Sequence, residues 1–318
     1  MIVETLTSPI ILFFALGLLA GFVRSDLAVP EALAKGMALY LMAAIGLKGG
    51  VSVAESGFTA SLGVAAATGM ALSFLLPLPA FAILRSFGGL SRVDAAAVAA
   101  HYGSVSLVTF VTAEQMLAGI GLPAAGFMVA VLALMETPAI ISGLFLARRG
   151  EKTKTEGGGL AHEVFFNASV MLLVGSFIIG LIAGKDGFAP VKPVFDGGYR
   201  GILCLFLLDM GLIASRRILQ TKALTLRLVA IGIALPMVNG TIGTILGTVI
   251  GLDVGSAAIL GILAASASYI AVPAAMRLAL PEADPGIYLS MSLGITFPFN
   301  IVFGISLFAW LAQTLGSL

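Results

Sequence analysis

The sequence predicts an all-α protein that crosses a membrane many times. Charged residues make up only 10% of the 318 residues and hydrophobic residues 59%, and the mean hydropathy is +1.10. A soluble domain has about a quarter of its residues charged, so a soluble enzyme is excluded. The net charge of +1 provides no basic surface for a nucleic acid, which excludes a nucleic-acid-binding protein.

Cysteine and histidine are too scarce for a metal or disulfide framework. The chain has one cysteine, Cys204, and two histidines, His101 and His162. Neither a disulfide scaffold nor a Cys or His metal cluster can be built from these three residues. We therefore expect no resident cofactor.

Ten apolar runs are long enough to cross a bilayer, which takes roughly 20 mostly apolar residues in a helix. Charged residues, Gly and Pro separate these runs. The expected spans are about 8–23, 32–54, 58–84, 93–117, 122–147, 163–184, 197–215, 224–250, 255–279 and 286–315.

A polar, glycine-rich linker at 148–162 separates five spans from five. Five spans on each side give the two halves, 1–147 and 163–318, opposite orientations in the membrane, which is the sequence sign of an inverted repeat. Short motifs also recur about 162 residues apart, such as Ser104-Val105-Ser106 and Ser266-Ala267-Ser268. We therefore expect a 5+5 inverted repeat with a cytoplasmic linker.

Basic residues indicate the orientation, because cytoplasmic loops are enriched in Lys and Arg. If the N-terminus lies outside, the outer loops hold only Lys185, Lys192 and Arg200, and nearly all other basic residues fall inside. We expect a multi-pass protein of the cell inner membrane with both termini on the extracytoplasmic side.

Hydroxyl groups beside helix-weakening residues, Gly103 in span four and Pro273 in span nine, mark a candidate site. Backbone groups freed by a helix break are tolerated at membrane depth only where they are buried or line a wet cavity. Where two broken helices meet, their N-termini favour an anion; the alternative is that these small residues only allow close packing. We expect discontinuous, crossing helices 4 and 9 with a substrate site formed by Gly103, Ser104, Ser106, Ser266, Ser268 and Tyr269.

A candidate cation site lies close to these breaks. Glu136 is a lone acidic residue in an apolar run and can bind a cation or carry a proton. Carbonyl and hydroxyl groups are hard oxygen ligands that suit sodium. The alternative is that Glu136 and Asn300 form structural hydrogen bonds with neighbouring helices. The expected sodium ligands are Glu136, Thr109, Thr296 and Asn300.

Lys48 and Asp209 are two opposite charges inside spans two and seven. Opposite charges in a membrane are held at lowest cost when they are paired. We expect Lys48 and Asp209 to pair across the repeat axis; the alternative is that each reaches a membrane surface separately.

Short motifs run through the chain in a fixed order. They include Ser8-Pro9, Ile45-Gly46-Leu47 with Gly49-Gly50, Gly103-Ser104-Val105-Ser106, Met135-Glu136-Thr137-Pro138, Met210-Gly211, Ala264-Ala265-Ser266-Ala267-Ser268 and Ala283-Asp284-Pro285. In this order, over nearly the whole length, they resemble the sodium-dependent bicarbonate transporters of the cyanobacterial SbtA type.

The resemblance implies a ten-helix inverted repeat with core and gate domains, symport of sodium and bicarbonate, a homotrimer in membrane lipid, and elevator-like movement. It also implies that bicarbonate lies between spans four and nine. An aspartate that follows the span-nine serines in that family is Tyr269 here, and Lys48 appears one turn after the position of a family basic residue, Ala44. The fixed charge of Lys48 is therefore an alternative to a bound sodium ion. The short linker argues against unchanged regulation by the PII-like partner of that family.

Sodium-coupled bicarbonate uptake is the leading hypothesis from these observations. A sodium- or proton-coupled transporter of an organic anion with the same architecture is an alternative. A bicarbonate channel or sensor without turnover is a second one. The sequence contains no HExxH or nucleophile motif that would indicate an intramembrane enzyme.

Overall fold

The computed structural model describes residues 7–57, 59–148, 168–220 and 224–317. Throughout these residues the chain is helical, and no strand occurs in them. The all-α class predicted from the sequence is confirmed. The linker at 148–162, apart from Arg148, and the start of the predicted sixth span lie outside the described residues.

The described residues of each half of the chain form a series of helices. Those of the first half are α1 (Pro9–Phe22), α2 (Glu31–Ser56), α3 (Ala60–Leu75), α4 (Pro77–Ser86), α5 (Arg92–Gly103), α6 (Leu107–Gly119), α7 (Met128–Leu134) and α8 (Glu136–Arg148). Those of the second half are α9 (Ala168–Phe188), α10 (Tyr199–Gln220), α11 (Leu226–Val249), α12 (Val254–Ala265), α13 (Ala271–Ala279), α14 (Pro285–Leu289), α15 (Phe297–Phe299) and α16 (Ile305–Gly316). π-helical turns cover Pro193–Gly197, Ser290–Thr296 and Asn300–Gly304.

Seven helical stretches in the described residues are long and apolar enough to cross a membrane. The protein is therefore a multi-pass membrane protein. Two more apolar helices, α1 and α12, are shorter than a full span, and α10 carries charges such as Asp209 and Arg216. These three helices account for the difference from the ten expected spans, and the ten-helix count stays a prediction.

Helices α1, α2, α9 and α10 pack against one another, and we call them the four-helix group. Helix α1 packs along α10 and α2 along α9. Glycines lie at these contacts: a Cβ on Gly17 would overlap the carbonyl oxygen of Leu208, and a Cβ on Gly180 would overlap that of Leu47. Small residues at such positions let helix backbones approach closely in a membrane. The close contacts make the four-helix group a tightly packed unit.

Matching hydrogen bonds at the starts of α5 and α12 connect the two halves of the chain. The Ser91 hydroxyl caps α5 by accepting from the Asp94 amide at 3.0 Å, and Asp253 caps α12 by accepting from the Ser256 amide at 2.9 Å. Each cap also holds a loop of the other half: Asp94 Oδ1 accepts from the amide of Asp284 at 2.8 Å. In the same way, Ser256 Oγ accepts from an amide before α7.

Replacing Gly180 by Ala should destabilise the protein by about 1–3 kcal/mol, because the new methyl group overlaps the backbone of α2. The matched control is Gly175→Ala in the same helix, where an added Cβ meets no atom within 4 Å. Thermal unfolding in detergent measures both variants. Equal melting temperatures for Gly180→Ala and the wild type would contradict the close α2–α9 contact.

Candidate functional site

Helix α5 ends at Gly103 and α6 begins at Leu107, so the helix of the predicted fourth span is interrupted at 104–106. A Cβ on Gly103 would overlap the ring of Pro77, which leaves no room for a larger residue. Ser106 caps α6, because its Oγ accepts from the amide of Thr109 at 3.2 Å. The interruption lies where the sequence predicts it.

The second interruption separates α12, which ends at Ala265, from α13, which begins at Ala271. The hydroxyl of Ser266 donates to the carbonyl of Leu263 at 2.8 Å. Ser268 Oγ accepts from the amide of Val272 at 3.4 Å. Pro273 stands in the first turn of α13, where its missing amide hydrogen costs no intrahelical hydrogen bond.

The two interruptions bind each other directly. The amide of Ser106 donates to Ser266 Oγ at 3.0 Å, and the amide of Ser268 donates to the carbonyl oxygen of His101 at 3.0 Å. All four predicted serines, Ser104 included, are at most 4% exposed. The structure therefore brings together the substrate-site residues that the sequence singled out from spans four and nine.

A small cavity lies at the meeting point of these segments. Its volume is about 20 Å³, which is room for about one water molecule. It is lined by Met42, Val105, Ser106, Leu107, Glu136, Ser268, Tyr269 and Ile270. The buried hydroxyl of Tyr269 has no hydrogen-bond partner among the described residues. The first residues of α6 and the segment leading into α13 thus face one small cavity, in which Ser106, Glu136 and Ser268 are the polar lining residues besides Tyr269.

Glu136 is the only one of the four predicted cation ligands that lines this cavity. Its backbone carbonyl accepts from the hydroxyl of Ser104 at 3.3 Å, which ties α8 to the first interruption. Thr109 lies beside the cavity, and its hydroxyl donates to Ser106 Oγ at 3.0 Å.

Thr296 and Asn300 form hydrogen bonds with residues near the ends of α5 and α12. The Thr296 hydroxyl donates a hydrogen bond to the carbonyl oxygen of Gly232 at 2.7 Å. In its hydrogen bond with Tyr102 OH, also at 2.7 Å, the Thr296 oxygen is therefore the acceptor. Asn300 Nδ2 donates to the carbonyl oxygen of Ala265 at 2.9 Å, at the end of α12. Of the four expected cation ligands, Glu136 is the one that lines the cavity, and the four-ligand cation site stays a prediction. Within the described residues no group of three or more His, Cys, Asp or Glu is placed to hold a metal ion.

The predicted pair of Lys48 and Asp209 is wrong. Lys48 Nζ lies 3.1 Å from Asp196 Oδ1 and 3.9 Å from Glu114 Oε1. Asp209 is 5% exposed, and its Oδ2 has no partner in the described part of the chain. The physical reason is that the turn at Pro193–Gly197 supplies a closer carboxylate. Lys48 does not line the cavity, and its charge as an alternative to a bound sodium ion stays a prediction.

Polar residues on neighbouring helices complete the site, and the sequence interpretation missed them. Ser73 bridges the turn before Pro138: its hydroxyl donates to the carbonyl of Met135, and its Oγ accepts from the amide of Ala139 at 3.2 Å. Asn239 Nδ2 donates to the carbonyl of Tyr102 at 3.5 Å. Both are buried polar residues in apolar helices, a signal that the sequence already contains.

Comparison with known families adds an independent observation. Residues 9–313 match the family model of the Na⁺-dependent bicarbonate transporter superfamily. The chain belongs to this superfamily. The match spans almost the whole chain, so the protein is a membrane transporter rather than an enzyme. No curated protein matches the chain.

Replacing Ser266 by Ala in this superfamily member should cost about 1–3 kcal/mol of stability, because the buried amide of Ser106 loses its acceptor. The matched control is Ser306→Ala, since the Ser306 hydroxyl is buried and has no hydrogen-bond partner in the described residues. Thermal unfolding of both variants should separate them by several degrees. Equal loss in the two variants would argue against the Ser106–Ser266 hydrogen bond.

Proposed function

We propose that the protein is a secondary transporter that imports bicarbonate together with sodium across the cell inner membrane. The observation that carries this proposal is the pair of interrupted helices, which meet at one small cavity lined by Ser106, Ser268 and Glu136 among apolar residues. Membership of the Na⁺-dependent bicarbonate transporter superfamily supports the choice of both ions.

The interrupted helices suit a small oxyanion. Bicarbonate carries one negative charge and several oxygen atoms that accept hydrogen bonds. The hydroxyls of Ser106 and Ser268 and the first amides of α6 can donate to it, and the positive end of the helix dipole favours its charge. Such donors bind the anion without a full positive charge, so the anion can be released as well as bound. The cavity of about 20 Å³ must widen before bicarbonate enters.

The carboxylate of Glu136 favours a cation in the cavity. A carboxylate at membrane depth is costly unless a cation or proton neutralises it. None of the ion pairs found among the described residues includes Glu136. Sodium bound between Glu136 and the anion would make the loaded site nearly neutral and lower the cost of moving it. The resembling transporters have an aspartate at the position of Tyr269. In this chain Glu136 is therefore the carboxylate that lines the cavity.

We further propose a ten-helix inverted repeat that moves by an elevator-like mechanism. The matching caps at Ser91–Asp94 and Asp253–Ser256, 162 positions apart in the sequence, support the repeat. The tightly packed four-helix group supports a static unit against which the cavity-bearing helices move. A homotrimer with both termini outside the cytoplasm belongs to the same proposal.

Uptake of radiolabelled bicarbonate into proteoliposomes should be saturable and should require an inward sodium gradient. The assay compares sodium with choline outside the vesicles at constant pH and constant total carbonate. A proton gradient without sodium serves as the second condition. Uptake that is equal with sodium and choline would refute sodium coupling, and a complete lack of saturable uptake would refute the proposed substrate.

Replacing Glu136 by Gln should raise the sodium concentration for half-maximal uptake by about tenfold or more, because the cation loses a charged ligand. Glutamine keeps the size of the side chain and its hydrogen-bonding capacity. The matched control is Glu282→Gln at an exposed loop position. An unchanged sodium dependence in Glu136→Gln would exclude Glu136 from the cation site.

A further inference from the structure

Helix α6 connects the candidate site to a cluster of polar and charged residues in its second half, which we call its far end. It begins directly after Ser106 and runs for 13 residues to Gly119, which is about 20 Å of helix. Most of it is buried. A rigid helix of this kind moves as one piece, so a displacement of Ser106 also displaces Glu114 and Gln115.

Two cations contact the far end of α6 from different helices. Lys48 of α2 lies 3.9 Å from Glu114 Oε1, and the Nε of Arg200 in α10 donates to Gln115 Oε1 at 2.8 Å. Gln115 Nε2 donates to Glu114 Oε2 at 2.8 Å, which joins the two contacts into one chain. We call these four residues, Lys48, Glu114, Gln115 and Arg200, the α6 clamp.

Lys48 is held in place within the four-helix group, and Arg200 belongs to the same group as the second residue of α10. Lys48 also pairs with Asp196 at 3.1 Å, in the turn between α9 and α10. Its ammonium lies 5.1 Å from the ring centre of Tyr199, the first residue of α10. The hydroxyl of Tyr40 in α2 donates to the carbonyl of Val194 in the same turn. Glu114 and Gln115 are therefore held by a preformed surface.

The contacts of the clamp suit repeated breaking. Lys48 and Glu114 are about one quarter exposed, and ion pairs that reach water contribute little to stability. A cavity of about 710 Å³ lies between α1, α6 and α10, and Gln115, Gly119 and Arg200 are among its lining residues. The far end of α6 thus has free space beside it.

We propose that Lys48 and Arg200 are positioning residues that clamp the far end of α6 to the four-helix group, and that each transport cycle must release this clamp. The inference rests on the proposed function, because it assigns a role in the movement that carries the substrate. The clamp holds α6 in the closed conformation in which the cavity beside Ser106 is small. Its release lets α6 and the first interruption move away from the four-helix group.

A reversible crosslink tests the proposal. The Cys204→Ala background removes the single cysteine of the chain, and Gln115→Cys with Arg200→Cys places two thiols at the clamp. A bifunctional methanethiosulfonate reagent should lower sodium-driven bicarbonate uptake at least tenfold, and a reductant should restore it. The matched control is Glu55→Cys with Lys185→Cys, an ion pair within the four-helix group at 3.7 Å. Crosslinking there should leave uptake unchanged.

If the protein crosslinked between Gln115→Cys and Arg200→Cys transports bicarbonate at the rate of the reduced protein, the proposed clamp is overturned. A double-mutant cycle with Lys48→Met and Glu114→Gln adds a readout that needs no transport. Because an exposed ion pair contributes at most about 1 kcal/mol, each single variant should lower the melting temperature slightly, and the double variant should lower it by less than the sum of the two. Strict additivity would also overturn the clamp. If the wild-type protein takes up no bicarbonate, the proposed function fails, and this cycle alone decides whether the contacts exist.

Discussion

The structure depends on one constraint: a helix that breaks inside a membrane must find partners for the backbone groups it frees. Each interruption meets this demand with groups of the other half of the chain. The amide of Ser106 bonds to Ser266, and the amide of Ser268 bonds to His101. Asn300 covers the carbonyl of Ala265 at the end of α12. The breaks are stable because they occur together, and neither half provides all of these partners alone.

The donors that we propose for the oxyanion lie next to the hydrogen bonds that join the two interruptions. The amides of Ser106 and Ser268 are used within the protein, whereas the hydroxyls of these two serines and the first amides of α6 are the donors proposed for the anion. Under this proposal the cavity widens around the joining hydrogen bonds to admit the anion. Glu136 lines the same cavity, so a sodium ion bound there would attract the anion through its opposite charge.

Local features of the site could be predicted from the sequence, whereas contacts between distant helices could not. Gly103 and the hydroxyl residues beside it indicate the first interruption, and Pro273 with the serines before it indicates the second, because glycine and proline are poor residues for a helix interior. These residues are not sufficient alone, since Pro236 lies inside the continuous helix α11. The partner of Lys48 depends on the rotation of α2 and on the turn that carries Asp196, and neither is encoded locally. An expectation based on charge alone therefore chose Asp209. The hydrogen bonds of the Thr296 hydroxyl with Tyr102 and Gly232 likewise join residues far apart in the sequence, and no local pattern predicts them.

The most direct test of the central claim is an experimental structure of the protein in lipid with bicarbonate and sodium present, compared with one in which chloride and choline replace them. The account predicts density for a small anion between Ser106 and Ser268, with the Ser106–Ser266 contact lengthened and the cavity enlarged. Density for the anion at another place, with both interruptions unchanged between the two structures, would contradict it.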